Sequence, residues 1–382
     1  MAPRVLVSDG EERSALAACR ALARSGYRVT AVAQTRCAGA IWSRSSSEAF
    51  VLPDPMRNRE RFIAALERLL DRKPQDVVLP ATDASLLAMS EHRERLERFA
   101  RLGLPPHDAV ESSLDKLRLL DAATAAGLAP PRSLVCDEHM DALAAANAIG
   151  FPLVVKPART VAVRAGTLRQ QPVAVVQDER TLATAVEGLA RPFVLQEFVT
   201  GAERYSSGGV MTDGGLAALA VARFERTWPP PAGAVSFGET VASPVGLGRK
   251  LEVLLGQLGW RGIFELEYLE LGGGRLAAID LNPRPFGWLA LAVEAGANLP
   301  AVWCATVLGR RTNPPQARPG VRYRWEEGDV AHFVWQLSRG QIRKAAAVAR
   351  PHRHVVHAHF RAQDPGPLVA RTLRLLGRAR AG

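Results

Sequence analysis

The stretch "AAIDLNPRPFGW", residues 277–288, decides how the rest of the chain is read. An apolar run ends at Asp280, skips one residue to Asn282 and continues into Pro283-Arg284-Pro285. In a strand, residues two apart face the same way, so Asp280 and Asn282 project together. The preceding run, RGIFELEYLEL at 261–271, carries Glu265 and Glu267 on one face, and Gly272-Gly273-Gly274 between the two runs reads as a hairpin turn. Folded on that turn, at least one glutamate lies opposite the Asp/Asn pair. Carboxylate and amide oxygens without His or Cys suit a hard cation, above all Mg²⁺ held by one or two carboxylates with phosphate oxygens completing its shell. The residue types admit a second reading, in which Asp, Asn and Pro only end a strand by turn chemistry.

Two other strand ends carry polar groups. FPLVVKPA (151–158) ends in Lys156 followed by Pro, which fits a phosphate contact or an ordinary solvated lysine. FVLQEFVTGAER (193–204) runs into Gln196-Glu197 and a glycine-marked turn to Glu203. Extended backbone after Glu197 can present N–H and C=O groups to a purine edge, with Glu203 accepting from ribose hydroxyls, or the strand simply ends in surface acids. Lysine usage sharpens the choice. The chain has five lysines, at 73, 116, 156, 250 and 344, against 44 arginines. The two cations are not interchangeable at a phosphate, so Lys116 and Lys156 stand out.

The first hundred residues alternate strand and helix signals: RVLVS, EERSALAACRALARSG, YRVTAVA, then DVVLPAT and DASLLAMSEHRERLERF. That is βαβα with buried parallel strands, a doubly wound sheet. Its first turn, SDGEERSA, has one glycine instead of GxGxxG and puts Glu11 and Glu12 where dinucleotide phosphates would sit, which argues against a Rossmann cofactor site. GLPPHD marks a boundary near 105. A compact α+β unit follows, then longer strands after Gly201, a flexible WPPPAGAVSFGE loop and a helix over 245–258. The segment from about 310 is rich in Pro, Arg and His. There are no internal repeats.

A chain of 382 residues predicts two or three domains. With 47% hydrophobic and 23% charged residues and no apolar run near the roughly 18 residues of a membrane span, it reads as globular and not membrane-embedded. MAPRVLVSDGEE lacks the features of a signal peptide, so a cytoplasmic location is expected. Cys19, Cys37, Cys136 and Cys304 have neither zinc-site nor disulfide-framework spacing. The net charge of +11 is spread along the chain and rarely interleaved with aromatics, which argues against nucleic acid as a partner. His352, His354, His357 and His359 fall within eight residues. In a strand the first two face opposite to the last two, which favours a polar strand over a metal site.

In order and spacing these pieces resemble the ATP-grasp superfamily of carboxylate–amine ligases: "DK" at 115–116, "PLVVKP" at 152–157, "LQEFVTGAE" at 195–203, "FELEYL" at 264–269 and "DLNPRPFG" at 280–287. Glu267 stands thirteen positions before Asp280, with Asn282 two further on, which is similar to the family's metal triad. The resemblance implies a pre-ATP-grasp sheet domain at 1–105, an ATP-grasp N-lobe at 106–200, a C-lobe with the metal site at 201–310 and an extension at 311–382. By the same resemblance Lys116 and Lys156 contact ATP phosphates, and Gln196 with the backbone of Glu197 and Val199 holds adenine. Glu203 holds ribose. Glu267, Asp280 and Asn282 bind two Mg²⁺ ions, with Mn²⁺ as an alternative, and Arg284 serves the reacting carboxylate. The implied activity joins a small carboxylic acid to an amine through an acyl phosphate; a homodimer is the candidate assembly. The alternatives are a biotin-carboxylase- or carbamoyl-phosphate-synthase-like enzyme and a non-catalytic ATP-binding regulator. Asp280 stands where the family usually has Glu. The loop PARTVAVRAGTLRQ after Lys156 is poor in glycine, which leaves open which backbone groups cover the γ-phosphate, with Gly166 a candidate for part of it.

Overall fold

A computed structural model describes residues 1–164, 167–313 and 316–379. Gly166 lies outside the described residues. The N-terminal sheet is parallel throughout, in the order β3-β2-β1-β4-β5, built from β1 (Arg4–Val7), β2 (Arg28–Ala33), β3 (Glu48–Val51), β4 (Val77–Leu79) and β5 (Arg101–Leu102). Val5, Leu6 and Val7 are fully buried, as the continuous apolar runs predict for strands covered on both faces. This is the doubly wound sheet expected from the sequence.

A second sheet, in the order β10-β7-β11-β6, comprises β6 (Ser133–Cys136), β7 (Leu153–Pro157), β10 (Ala174–Val176) and β11 (Phe193–Glu197). Its apolar side chains form a core of their own, with Leu153, Val155, Leu182, Phe193 and Leu195 buried together. The glycine-poor stretch after Lys156 is a small antiparallel ladder of β8 (Val161–Arg164) and β9 (Thr167–Gln170).

The third sheet has seven strands in the order β16-β15-β12-β13-β14-β17-β18. They are β12 (Glu203–Thr212), β13 (Gly215–Trp228), β14 (Ala234–Val241), β15 (Gly262–Glu270), β16 (Leu276–Asn282), β17 (Arg322–Arg324) and β18 (Val355–His357). The three glycines at 272–274 turn β15 into β16, each with positive φ (84°, 63° and 75°), the region in which a Cβ is disfavoured. The expected flexible loop at 228–239 is half strand: from Ala234 onward it is β14, paired with β13 on one side and β17 on the other. Its second partner comes from residues 322–324, so no local pattern announces it. Another core cluster runs from Leu6 and Val78 through Leu251 to Phe264 and Tyr268, joining the first sheet to the third.

The C-terminal segment closes back on the first domain. Asp364 pairs with buried Arg20 at 2.9 Å and accepts from Ser43 Oγ at 2.7 Å and the Arg44 N–H at 2.9 Å. No described helix is long and apolar enough to cross a membrane.

Glu326 opens the helix Glu326–Ser338 and accepts the Phe360 N–H at 2.9 Å, with the His357 and His359 rings each 3.5 Å away. Burial alone would push its carboxyl up, but both histidines and the Phe360 amide together hold it well below the usual carboxylate range. A depressed folded-state pKa contributes stability above the unfolded value of about 4.5, and that contribution is lost as the pH falls below it. Glu326→Gln is expected to lower stability by about 1–3 kcal/mol at pH 7. Thermal melts of the two proteins should converge below about pH 4.5, and a gap that widens on acidification would contradict the assignment.

Candidate active site

The ladder between β15 and β16 sets Glu267 opposite Asp280 and Glu265 opposite Asn282. Both glutamates therefore lie opposite the Asp/Asn pair, and each acid has a cation or donor on it. Glu267 Oε2 accepts from Arg204 Nη2 at 2.6 Å, and Asp280 pairs with Lys116 Nζ in a very short contact. Lys116 is the first residue of the helix Lys116–Ala125, which Asp115 caps by accepting the Leu117 N–H at 2.8 Å. The Lys116 N–H donates to Ala158 O just beyond β7, at 2.8 Å, tying that helix start to the second sheet.

Lys156, at the end of β7, donates to Gln196 Oε1 and to Ile279 O, both at 2.7 Å. Burial and the neighbouring positive charges lower its pKa to about 8, while Asp280 and Glu267 oppose the fall. Burial pushes the Asp280 carboxyl up, but the charges of Lys116 and Lys156 win and hold it below the usual range. Gln196 Nε2 donates to Ser133 Oγ at 2.9 Å, so both ends of its amide are engaged inside the protein. The Glu197 N–H goes to Arg132 O at 2.8 Å, whereas the Val199 N–H has no partner among the described residues.

Two cavities meet here. One, of about 440 Å³, has Val154, Leu269 and Ile279 as apolar walls and Lys156, Glu197 and Asp280 among its polar ones. The other, of about 480 Å³, is lined by Glu12, Arg13, Arg284, Trp325 and Arg371 among others. Ala234, Glu267 and Asn282 belong to both walls. The polar groups that the hairpin gathers therefore stand at the junction of two chambers.

On the second side, Arg284 Nε donates to Asp83 Oδ1 at 2.5 Å, Nη2 to Asn282 Oδ1 at 3.0 Å and Nη1 to Pro285 O at 3.2 Å. A guanidinium has five N–H groups, so two remain for a ligand while the other three fix the plane. Glu265 is buried and accepts from Ser206 Oγ and Asn282 Nδ2, both at 3.0 Å, and from the Trp288 indole N–H. Burial and the nearby Glu267 charge raise its pKa. Asn282 is thereby clamped from both ends.

The structure thus brings Lys116, Lys156, Gln196, Glu267, Asp280, Asn282 and Arg284 together. Glu203 is different: its Oε2 accepts from Tyr205 OH at 2.7 Å, its other oxygen lies 3.8 Å from Arg223, and it stands outside both cavity linings. Strand alternation explains this, because Arg204 takes the cavity face of β12 and Glu203 the opposite one. The histidines also separate, His352 packing on the Phe237 ring at 4.8 Å and His357 and His359 flanking Glu326. Among the described residues no three His, Cys, Asp or Glu side chains are disposed to hold a metal ion. Sequence reasoning missed Arg204, which the period of two would have found opposite Leu269. It also missed Asp83, Arg13, Trp325 and Arg371, which carry no local signal.

No family model matches the chain. Over 154 residues it is 26% identical to the carbamoyl phosphate synthase large chain of Haemophilus ducreyi and 25% identical to that of Pasteurella multocida. The match covers 38% of this chain and 13% of each relative, so the chain spans a small part of their length. Among solved structures it is similar to N5-carboxyaminoimidazole synthetase from Staphylococcus aureus complexed with ADP (14% identity, 84% of this chain and 80% of that one, TM-score 0.63). It is also similar to L-amino acid ligase from Bacillus licheniformis (15%, 84% and 78%, 0.62) and to biotin carboxylase from Campylobacter jejuni (15%, 84% and 74%, 0.63). The shared architecture and the ladder that sets Glu267 against Asp280 agree: the chain has the ATP-grasp fold, preceded by an N-terminal parallel-sheet domain.

Proposed function

We propose that the protein is an ATP-dependent ligase that joins a small carboxylic acid to an amine. The observation that carries this reading is the junction of two cavities at Glu267 and Asn282, with buried Lys156 on the wall of one, Lys116 behind that wall on Asp280, and Arg284 on the wall of the other. In this reading adenine lies between Val154, Leu269 and Ile279 and meets the free N–H of Val199, while Gln196 supports Lys156 instead of touching the base. Lys116 and Lys156 neutralise the phosphates. Arg204, not Glu203, is the charged residue of β12 that faces the nucleotide. The domains follow as 1–105, 106–200, 201–310 and 311–382.

Glu267, Asp280 and Asn282 form an all-oxygen donor set on one face, with Asp280 ionised and a lone pair of the Asn282 oxygen unused, which fits Mg²⁺ completed by phosphate oxygens. When bound, such ions supply charge neutralisation at the phosphates. The chain's own residues do the rest by positioning and electrostatics. Arg284, its plane fixed by Asp83 and Asn282, orients the carboxylate of the acid toward the γ-phosphorus. An oxygen–phosphorus bond forms as the bond to ADP breaks, leaving an acyl phosphate and ADP. The amine then attacks the acyl carbon, the phosphate leaves with its electron pair and the nitrogen sheds a proton. The two free N–H groups of Arg284 stabilise the oxyanion in between.

The test is release of ADP and phosphate by the purified protein with Mg-ATP across acids and amines offered singly and in pairs. Release that requires both an acid and an amine is expected. Release with bicarbonate and no amine would favour the carboxylating alternative, Mg-dependent ATP binding without turnover the regulator, and no ATP binding would overturn all three.

A further inference from the structure

The second cavity has an unspent charge pattern. Of its basic groups, Arg284 is paired with Asp83, and Arg371 forms a two-point pair with Glu327. Of its acids, Glu267 carries Arg204, Glu265 is enclosed by three donors, and Glu11 Oε1 accepts the Gln34 and Thr35 N–H groups at 2.6 and 2.8 Å. Glu11 Oε2 and His359 Nδ1, on the same wall, are buried without a hydrogen-bond partner, the His359 ring lying 3.5 Å from Glu326. Three further charged side chains of the wall have no ion pair among the described residues. The Glu12 side chain, at the start of the first helix (Arg13–Arg24), makes no capping bond, hydrogen bond or ion pair among the described residues, and its charge acts on Arg284 and Arg371. Arg13 is held by Nε to Gly287 O at 3.0 Å and lies 4.0 Å over the Trp325 ring, leaving its terminal nitrogens unspent. Arg374, from the C-terminal helix (Gly366–Ala379), has no partner among the described residues either.

The placement of Arg13 is built in. A Cβ at Gly287 would come within 2.5 Å of Arg13 Nη2, so the glycine that ends NPRPFG makes room for a guanidinium from the first turn of the chain. The Gly287 carbonyl also accepts Tyr323 OH at 2.9 Å, which locks the acceptor. Glu11, anchored on two backbone amides at the end of β2, fixes the turn that presents Glu12 and Arg13. The turn whose acids exclude a dinucleotide is thus a wall of the second cavity.

We propose that this cavity recognises an amino acid that carries a second carboxylate: the ammonium meets Glu12, the non-reacting carboxylate meets Arg13 and Arg374, and the reacting carboxylate meets Arg284. This rests on the ligase reading for the reacting group only. The unspent set of one anion and two cations is complementary to one ammonium and a carboxylate held in fork geometry, and about 480 Å³ admits a molecule of that size. Glu12, Arg13 and Arg374 determine specificity and take no part in bond making.

The experiment uses L-glutamate and L-aspartate, their amides L-glutamine and L-asparagine, and glutarate and succinate, which lack the ammonium. Calorimetric binding to the full-length protein is measured without nucleotide, and ADP release with Mg-ATP and an amine is measured in parallel. One of the two acidic amino acids is expected to bind about tenfold to a hundredfold tighter than its amide and its deaminated counterpart. Arg374→Met should erase the preference over the amide, and Glu12→Gln the preference over the diacid, with thermal melts nearly unchanged because neither side chain has a hydrogen bond or ion pair to lose. If this binding order holds while no ADP forms, the subsite stands and the ligase reading falls. If neutral acids bind and turn over as well as the acidic amino acids, or none of the six binds, the proposal is overturned whatever the ligase assay shows.

Discussion

Asp280→Asn is expected to lower acid- and amine-dependent ADP release by about 10²- to 10³-fold while leaving the protein folded. The substitution keeps the shape and removes one charge from the place where the fields of Lys116, Lys156 and Arg284 overlap. Lys116 pairs with that carboxylate directly, and the Asp280 charge supports the protonated form of Lys156 against burial. An amide at 280 still accepts a hydrogen bond from Lys116, so the fold is retained. It no longer offers an anion to a divalent cation, and it leaves two lysines with less opposing charge. ADP release, a Mg-ATP binding titration and a thermal melt read the three consequences separately. Unchanged turnover in a folded variant would remove Asp280 from the chemistry and with it the reading of the whole hairpin.

The second large effect falls on Arg284. Arg284→Met removes the only charged partner that the structure gives Asp83, whose side chain is 10% exposed, and an uncompensated buried carboxylate costs about 3 kcal/mol. It also removes the two unspent N–H groups at the junction, for which a loss of about 10²- to 10³-fold in turnover is expected. Adding Asp83→Asn separates the two roles. The double variant should recover much of the lost stability, because the buried charge is gone, and none of the turnover. Recovery of both would make Arg284 a structural residue only.

The hairpin was legible because its information is local. Period-two alternation places Glu265 with Glu267 and Asp280 with Asn282, and three consecutive glycines accept the positive φ of the turn. The parallel N-terminal sheet was legible for the same kind of reason, since buried strands read as continuous apolar runs. Glu203 shows what motif spacing does not carry. One position along a strand changes the face, and Arg204 rather than Glu203 looks into the cavity. The stretch at 234–239 was unreadable as strand because its outer partner, β17, lies more than eighty positions on.

What the sequence determined by itself was the set of residue types brought to one place: carboxylates and an amide at the end of a strand, two of very few lysines, and an arginine held between prolines. Tertiary structure alone decided which charges are spent. Lys116 and Asp280 are 164 positions apart, Arg284 and Asp83 are 201 apart, and Arg20 and Asp364 are 344 apart. The energy of an ion pair depends on distance and burial in space, neither of which a linear pattern carries. Only the meeting of the first turn, the last helix and the third sheet at one cavity puts an acid and two arginines without ion pairs on the same wall.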